Sequence, residues 1–358
     1  MRIININIKD ELKVIGEYKS FPFMGPDTPG SPKYNTPITP KENVFRFLKG
    51  EGVWAPTGAD FVTLCPKIIP DNVARAFVIE AESVPPTAGK DMFGVEWEYV
   101  PEAGGSMVRP GNPLKVPDIC EWEKYITFPN IDEYDWEGSA KTNAPYIGNG
   151  RVTMVWMMNG LFERLISFME FENAALALID DDEKEAVHRL FDKLCDLYDA
   201  LFEKYKKYYD ADCIYFHDDW GSQRAPFFSL DTVREMLVPY LKRVCQSAHK
   251  RGMFIDFHSC GKIEMLVPAM IEAGVDVWSG QDMNDREFVL KEYGDSIKLN
   301  FGPVAGFGMT DEQIVEETQK FLDKYGKYLK SIFVSTGFGG NPKMYEMVYT
   351  YSREAFSK

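Results

Sequence analysis

His258-Ser259-Cys260, followed by Gly261, closes an apolar run from Met253 to Phe257. Side chains alternate across a β-strand, so residues two apart share a face. An H-x-C step at a strand end therefore turns an imidazole and a thiol to one side, and both are good zinc ligands. The competing reading is a core histidine beside a buried cysteine, because cysteine is among the most buried residue types. The strand-end position and the adjoining glycine favour the metal. A catalytic zinc takes three protein ligands and keeps one position open, so a third ligand must come from elsewhere in the chain.

Several carboxylates could supply it. Asp218 and Asp219 follow the strand-like Cys213 to Phe216. Either could be a ligand, a general base or a binder of a substrate hydroxyl. Alternation lets only one of them point inward easily, and helix capping or solvated charge is the bland alternative. His217 would share a face with Asp219 if the strand ran that far. Glu163, just past Asn159-Gly160, could be a ligand or simply a first-turn carboxylate favoured by the helix dipole. Gln281 and Asp282 stand at a later strand end and could position substrate. Met154, Trp156, Met157 and Met158 form an aromatic-thioether cluster. With Trp220 and Trp278, those that reach an open end would suit a flat apolar substrate, although most such runs are core. Cys245 and His249, four apart on one helix, have ligand spacing, but that helix is expected outside the sheet with no partner ligand.

The elements that position these residues alternate. Strand-like runs at Val152–Met158, Cys213–Phe216, Met253–Phe257, Val275–Trp278, Ile297–Phe301 and Ser331–Val334 are separated by helical patterns at 161–169, 182–209, 230–251, 263–273, 285–294 and 310–329. A last helix starts near Pro342. Repeated β-then-α units imply a parallel sheet with crossover helices. Polar residues cluster at many strand ends rather than one, and no G-x-G-x-x-G opens a first helix. A (β/α)8 TIM barrel is therefore expected over a doubly wound sheet. Gly52–Gly58 reads as its first strand. Residues 91–117, with Gly104-Gly105, read as a β-hairpin excursion. Residues 1–45 read as an N-terminal arm and helix (strand-like at 1–10, helical at 40–48) packed on a catalytic barrel of residues 46–358.

Length and composition agree. The chain has 358 residues, 45% of them hydrophobic, and a net charge of −15. That charge argues against nucleic acid as a partner, which needs a basic patch. Six scattered cysteines with no C-x-x-C pair read as reduced thiols of a cytoplasmic protein. The N-terminus lacks a signal-peptide pattern, and no apolar stretch has membrane-spanning length.

Asp218-Asp219-Trp220-Gly221-Ser222-Gln223, the run Leu230 to Tyr240, His258-Ser-Cys-Gly261, Gly274-Val-Asp276 and Gln281 together resemble the uroporphyrinogen decarboxylase superfamily, more closely its methyltransferase branch. Asp91 to Trp97 resembles a segment of the same group. The resemblance runs from about Asp91 to the C-terminus. Two departures bear on the reaction. The decarboxylases carry arginines after the first barrel strand, and Val53–Val62 has none. The thiol methyltransferases add a second cysteine after the last strand, where this chain has Phe338. The resemblance thus implies His258 and Cys260 as zinc ligands, but its third ligand does not carry over, and a carboxylate, Glu163 or Asp219, is expected in its place. From their types and strand-end positions, Asp218 and Asp219 are expected as catalytic carboxylates, and Trp156, Met158, Trp220 and Gln281 as substrate-binding residues. Exchanging a thiolate for a carboxylate makes zinc a harder Lewis acid, suited to an oxygen leaving group. The expected activity is transfer of a methyl group from a small donor, a methoxylated aromatic, to a corrinoid carried by a partner protein. The alternatives are methylcorrinoid-to-tetrahydrofolate or thiol transfer, a metal-free lyase, and a non-catalytic barrel. Homodimerisation is left open.

Overall fold

Eleven strands form in the computed structural model, which describes residues 7–22, 28–82, 88–109, 111–304, 308–335 and 341–357. In chain order they are β1 (Val14–Tyr18), β2 (Ser31–Tyr34), β3 (Phe61–Leu64), β4 (Trp97–Val100), β5 (Gly105–Val108), β6 (Val152–Met157), β7 (Cys213–His217), β8 (Phe254–Ser259), β9 (Val277–Gly280), β10 (Lys298–Asn300) and β11 (Ile332–Phe333). Seven of them, in the order β11-β10-β9-β8-β7-β6-β3, make one parallel sheet. Helices surround the sheet, and it curls until a parallel bridge between Thr57 and Val334 joins its two sides. The architecture is the expected TIM-barrel-like α/β fold. The first strand, however, is Phe61–Leu64. The predicted strand at Gly52–Gly58 contributes only the Thr57 bridge and then enters a 3-10 turn capped by Thr57.

Strand alternation sorts the interior into layers. Val152, Met154, Cys213, Phe254, Val277 and Phe333 form a closed apolar floor, with Phe45 and Leu48 of the helix Pro40–Leu48 packed against it. Phe45 meets Phe254 edge-on at 5.8 Å. Two residues further along β7, β8 and β9 the interior turns polar: Tyr215, Asp256 and Ser279, with Asn300 donating to Asp256 at 2.9 Å. Two residues further again come His217 and His258, directly paired across β7 and β8. The opposite faces, including Val155, Ile214, Phe216, Ile255, Phe257 and Trp278, pack with the surrounding helices in the main core. That core burial ranks among the largest stabilising terms, at about 25 cal/mol per Å² of apolar surface.

Helices break where local chemistry demands it. The long 230–251 pattern divides at Leu237 into Leu230–Met236 and Val238–His249, with Pro239 in the first turn of the second piece. Proline has no N–H to donate and suits that position. The helix Leu161–Ala177 is interrupted at Glu170, whose φ is 65°. The excursion is the expected hairpin, β4 antiparallel to β5, turned by Gly104 in the left-handed region. At the N-terminus the described residues Ile8–Glu11 form a short helix capped by Asn7, where alternation suggested a strand; residues 1–6 lie outside the described residues. β1 and β2 pair into a separate two-stranded sheet. The arm meets the C-terminal helix Pro342–Phe356 through the Tyr34–Tyr345 stack and the Glu11–Arg353 ion pair at 2.9 Å.

Candidate metal centre

At the C-terminal ends of β7 and β8, one ligand atom each from His217, Asp219, His258 and Cys260 lies within 4.8 Å of the other three. Among the described residues this is the one such group. Its origin is simple. β7 continues through His217, so alternation carries on to Asp219; β8 does the same for His258 and Cys260. The pairing of His217 with His258 then puts the two H-x-acid and H-x-thiol steps side by side, with the imidazoles stacked at 5.0 Å. Beyond the strands, Gly221 and Gly261 let the two loops touch. Gly261 has φ +98°, and a Cβ on it would fall 2.3 Å from the Gly221 carbonyl carbon. The contact is sealed by the Cys260 N–H donating to Asp219 Oδ1 at 2.6 Å.

Both imidazoles are oriented by backbone carbonyls. His258 Nδ1 lies 2.8 Å from Ser279 O, and His217 Nδ1 lies 3.1 Å from Met158 O. A carbonyl only accepts, so each Nδ1 carries a hydrogen and each Nε2 faces the cluster; that of His217 donates to Asp219 in the metal-free protein and would give its lone pair to a bound metal. His258 Nε2 is 3.6 Å from Cys260 Sγ, and His217 Nε2 is 3.2 Å from Asp219 Oδ1. Zinc bond lengths of about 2.3 Å to sulfur and about 2.0 Å to nitrogen and oxygen, at tetrahedral angles, give edges of about 3.6 Å for N···S and about 3.3 Å for N···O. The donor types suit a divalent ion, and these two edges match tetrahedral values.

Without a metal, the protein environment holds His258 and Asp219 ready to ligate but keeps protons on His217 and Cys260. Burial, with help from the His217 charge, pulls His258 down to about 4, leaving it neutral. Burial also opposes the charged forms of His217 and Asp219, but their mutual attraction wins: His217 is raised and Asp219 held well below the usual carboxylate range. Burial and the Asp219 charge push the Cys260 thiol up. A divalent cation is what would favour the thiolate there.

The other residues picked out from sequence are dispersed around this cluster. Glu163 is not part of it: its carboxylate pairs with Arg75 Nη1 at 2.8 Å. Asp218 is fully buried and points away, accepting from the Glu163 N–H and Trp220 Nε1, both at 2.9 Å. Burial pushes it up to about 7. It anchors the start of the Glu163 helix. Trp220 is fully buried against Phe257, on the helix side of the sheet. Trp156 has both ring faces covered, by Phe77 at 4.7 Å and Tyr215 at 4.1 Å, so it offers no open platform. Met158 is buried and contributes its carbonyl to His217. Gln281 touches the cluster, with Nε2 3.3 Å from Cys260 Sγ. Cys245 is buried outside the barrel and His249 pairs with Asp276 at 2.7 Å, as expected for non-ligands. Phe338 lies outside the described residues.

Two residues have places at the site that the sequence did not assign: His217 as a candidate ligand and Arg75 beside it. His217 was legible through its alternation with Asp219, and only the true length of β7 was missing. Arg75 follows the short helix Pro70–Ala74 and brings Nη2 to 3.5 Å from His217 Nδ1. Val53–Val62 lies before and within the first strand of the sheet, Phe61–Leu64, and the segment that follows that strand does carry an arginine, Arg75.

The family model for uroporphyrinogen decarboxylase (URO-D) matches residues 148–349, which span β6 to the C-terminal helix and include all four cluster residues. The chain belongs to the URO-D family. Among solved structures, this URO-D protein is similar to a methyltransferase from Methanosarcina mazei, at 15% identity and TM-score 0.58, over 90% of this chain and 100% of that one. At that identity the likeness speaks for the fold. A D-psicose 3-epimerase from Clostridium cellulolyticum H10 is a more distant match, at 15% identity and TM-score 0.34 over 61% of this chain and 81% of its own. No curated protein matches. No helix among the described residues is long and apolar enough to cross a membrane.

Proposed function

We propose that this URO-D family protein is a zinc-dependent methyltransferase that moves a methyl group from a small methoxylated aromatic to the cobalt of a corrinoid protein. The observation that carries the reading is the convergence of two imidazole nitrogens, a carboxylate oxygen and a thiol within 4.8 Å at the barrel end where such folds place their chemistry. The fold likeness to a methyltransferase supports it. His217, Asp219, His258 and Cys260 would hold the metal, and an oxygen leaving group would reach it only as a fifth donor, an expansion zinc can make in the transition state. Bound zinc would supply a Lewis acid for an oxygen leaving group. The Nδ1–H bonds to Met158 and Ser279 keep both imidazoles aimed. Arg75, paired with Glu163, lies at the edge of the site with Nη2 3.5 Å from His217 Nδ1.

The test has two arms. Metal analysis of the purified protein should find close to one equivalent of zinc, lowered by His258→Ala and Cys260→Ala. Methyl transfer from guaiacol-type ethers to reduced cobalamin, with tetrahydrofolate and thiols as parallel acceptors of methylcobalamin methyl, separates the demethylating direction from its reverse. Equal rates with and without zinc would remove the Lewis-acid role.

A further inference from the structure

The end of β9 grips the loop that carries Cys260. Gln281 Oε1 accepts the Gly261 N–H at 2.8 Å. Asn284, buried in the same turn, accepts from the Ile263 N–H at 2.7 Å and the Glu264 N–H at 3.0 Å, and donates to Gly261 O at 2.9 Å. The Gly261 bond decides which way the Gln281 amide faces. Flipping it would set Nε2 against an N–H, donor on donor. Nε2 is therefore the group turned to Cys260 Sγ, at 3.3 Å. Gly280, just before it, must lack a side chain, since a Cβ would come within 2.6 Å of Trp278. One residue further back, Ser279 O holds His258. A single strand end thus supports both ligands of the H-x-C step.

We propose that Gln281 is a positioning residue that fixes Cys260 as a metal ligand and tunes its sulfur. The inference rests on the metal-centre reading. An N–H donated to a thiolate withdraws electron density that the sulfur would otherwise give to the metal. The ion becomes a harder Lewis acid, as an oxygen leaving group requires. Gln281 acts on the metal through Cys260, because its Oε1 is held by the Gly261 N–H and its Nε2 is turned to the sulfur.

Cobalt(II) titration of the full-length apoprotein tests this, read by the thiolate-to-cobalt charge-transfer band and the Kd. Gln281→Glu keeps the length and the acceptor for the Gly261 N–H while removing the donor to sulfur. Gln281→Met removes both. Wild type should bind with a thiolate band. In both variants the band should move to longer wavelength, with binding weakened about 10- to 100-fold, the usual cost of losing such a supporting contact. An unmoved band with Kd within about threefold of wild type in a folded variant overturns the role of Gln281. A wild-type protein that binds cobalt without a thiolate band, or not at all, instead overturns the metal centre, and the inference with it.

Discussion

Replacing His217 by alanine and, separately, Glu163 by glutamine distinguishes two descriptions of the metal centre. The Nε2 of His217 lies 3.2 Å from Asp219 Oδ1, close to a ligand-to-ligand edge, and its Nδ1–H is held by Met158 O at 3.1 Å. Glu163 instead gives its carboxylate to Arg75 at 2.8 Å. Loss of a supporting group behind a ligand costs about 10- to 100-fold in metal affinity. Loss of the ligand itself costs more, so His217→Ala should weaken zinc binding at least about 100-fold, or ~2.7 kcal/mol. Glu163→Gln should leave the Kd within about threefold, because it alters no ligand. Competition against a fluorescent chelator measures both constants, and circular dichroism establishes that each variant is folded. The reverse result, zinc lost from Glu163→Gln and kept by His217→Ala, would refute the geometry and restore the carboxylate set first drawn from sequence.

Gly261→Ala should destabilise the protein by about 2–5 kcal/mol, adding left-handed strain to a contact that has no room for a Cβ. Differential scanning calorimetry of the apoprotein would show it as a lower Tm, and an unchanged Tm would mean the loops after β7 and β8 are not in contact as described. His249 is raised above its ordinary 6.5, first by its hydrogen bond to Asp276. The charged pair therefore stabilises the fold fully below that ordinary value, and the contribution fades as pH rises through the folded value. His249→Asn should lower stability at about pH 5.5 by no more than about 1 kcal/mol, the group being partly exposed, and by nearly nothing at about pH 9. Urea unfolding at the two pH values measures the difference, and a gap that widens with pH would contradict the sign.

The alternation of apolar strand and amphipathic helix from Val152 onward was sufficient for the barrel, because a β/α repeat has few ways to bury both faces of a parallel sheet. His258 and Cys260 were likewise legible, since a two-residue step at a strand end needs no distant information to share a face. So was the link between His217 and Asp219, given a strand that extends to His217. Tertiary structure decided the rest. Pairing of β7 with β8 in register brings His217 beside His258. That register depends on the whole sheet rather than on either segment. Asp218 and Asp219 are chemically identical neighbours, and only the end of β7 turns one into the cluster and buries the other behind the Glu163 helix. Trp156 and Trp220 looked like platforms by composition, but ring packing covers the first and the sheet places the second on its outer side. Arg75 arrives at the site because the first strand begins at Phe61, nine residues beyond the apparent start at Gly52, where local hydrophobicity gave no sign of the intervening turn.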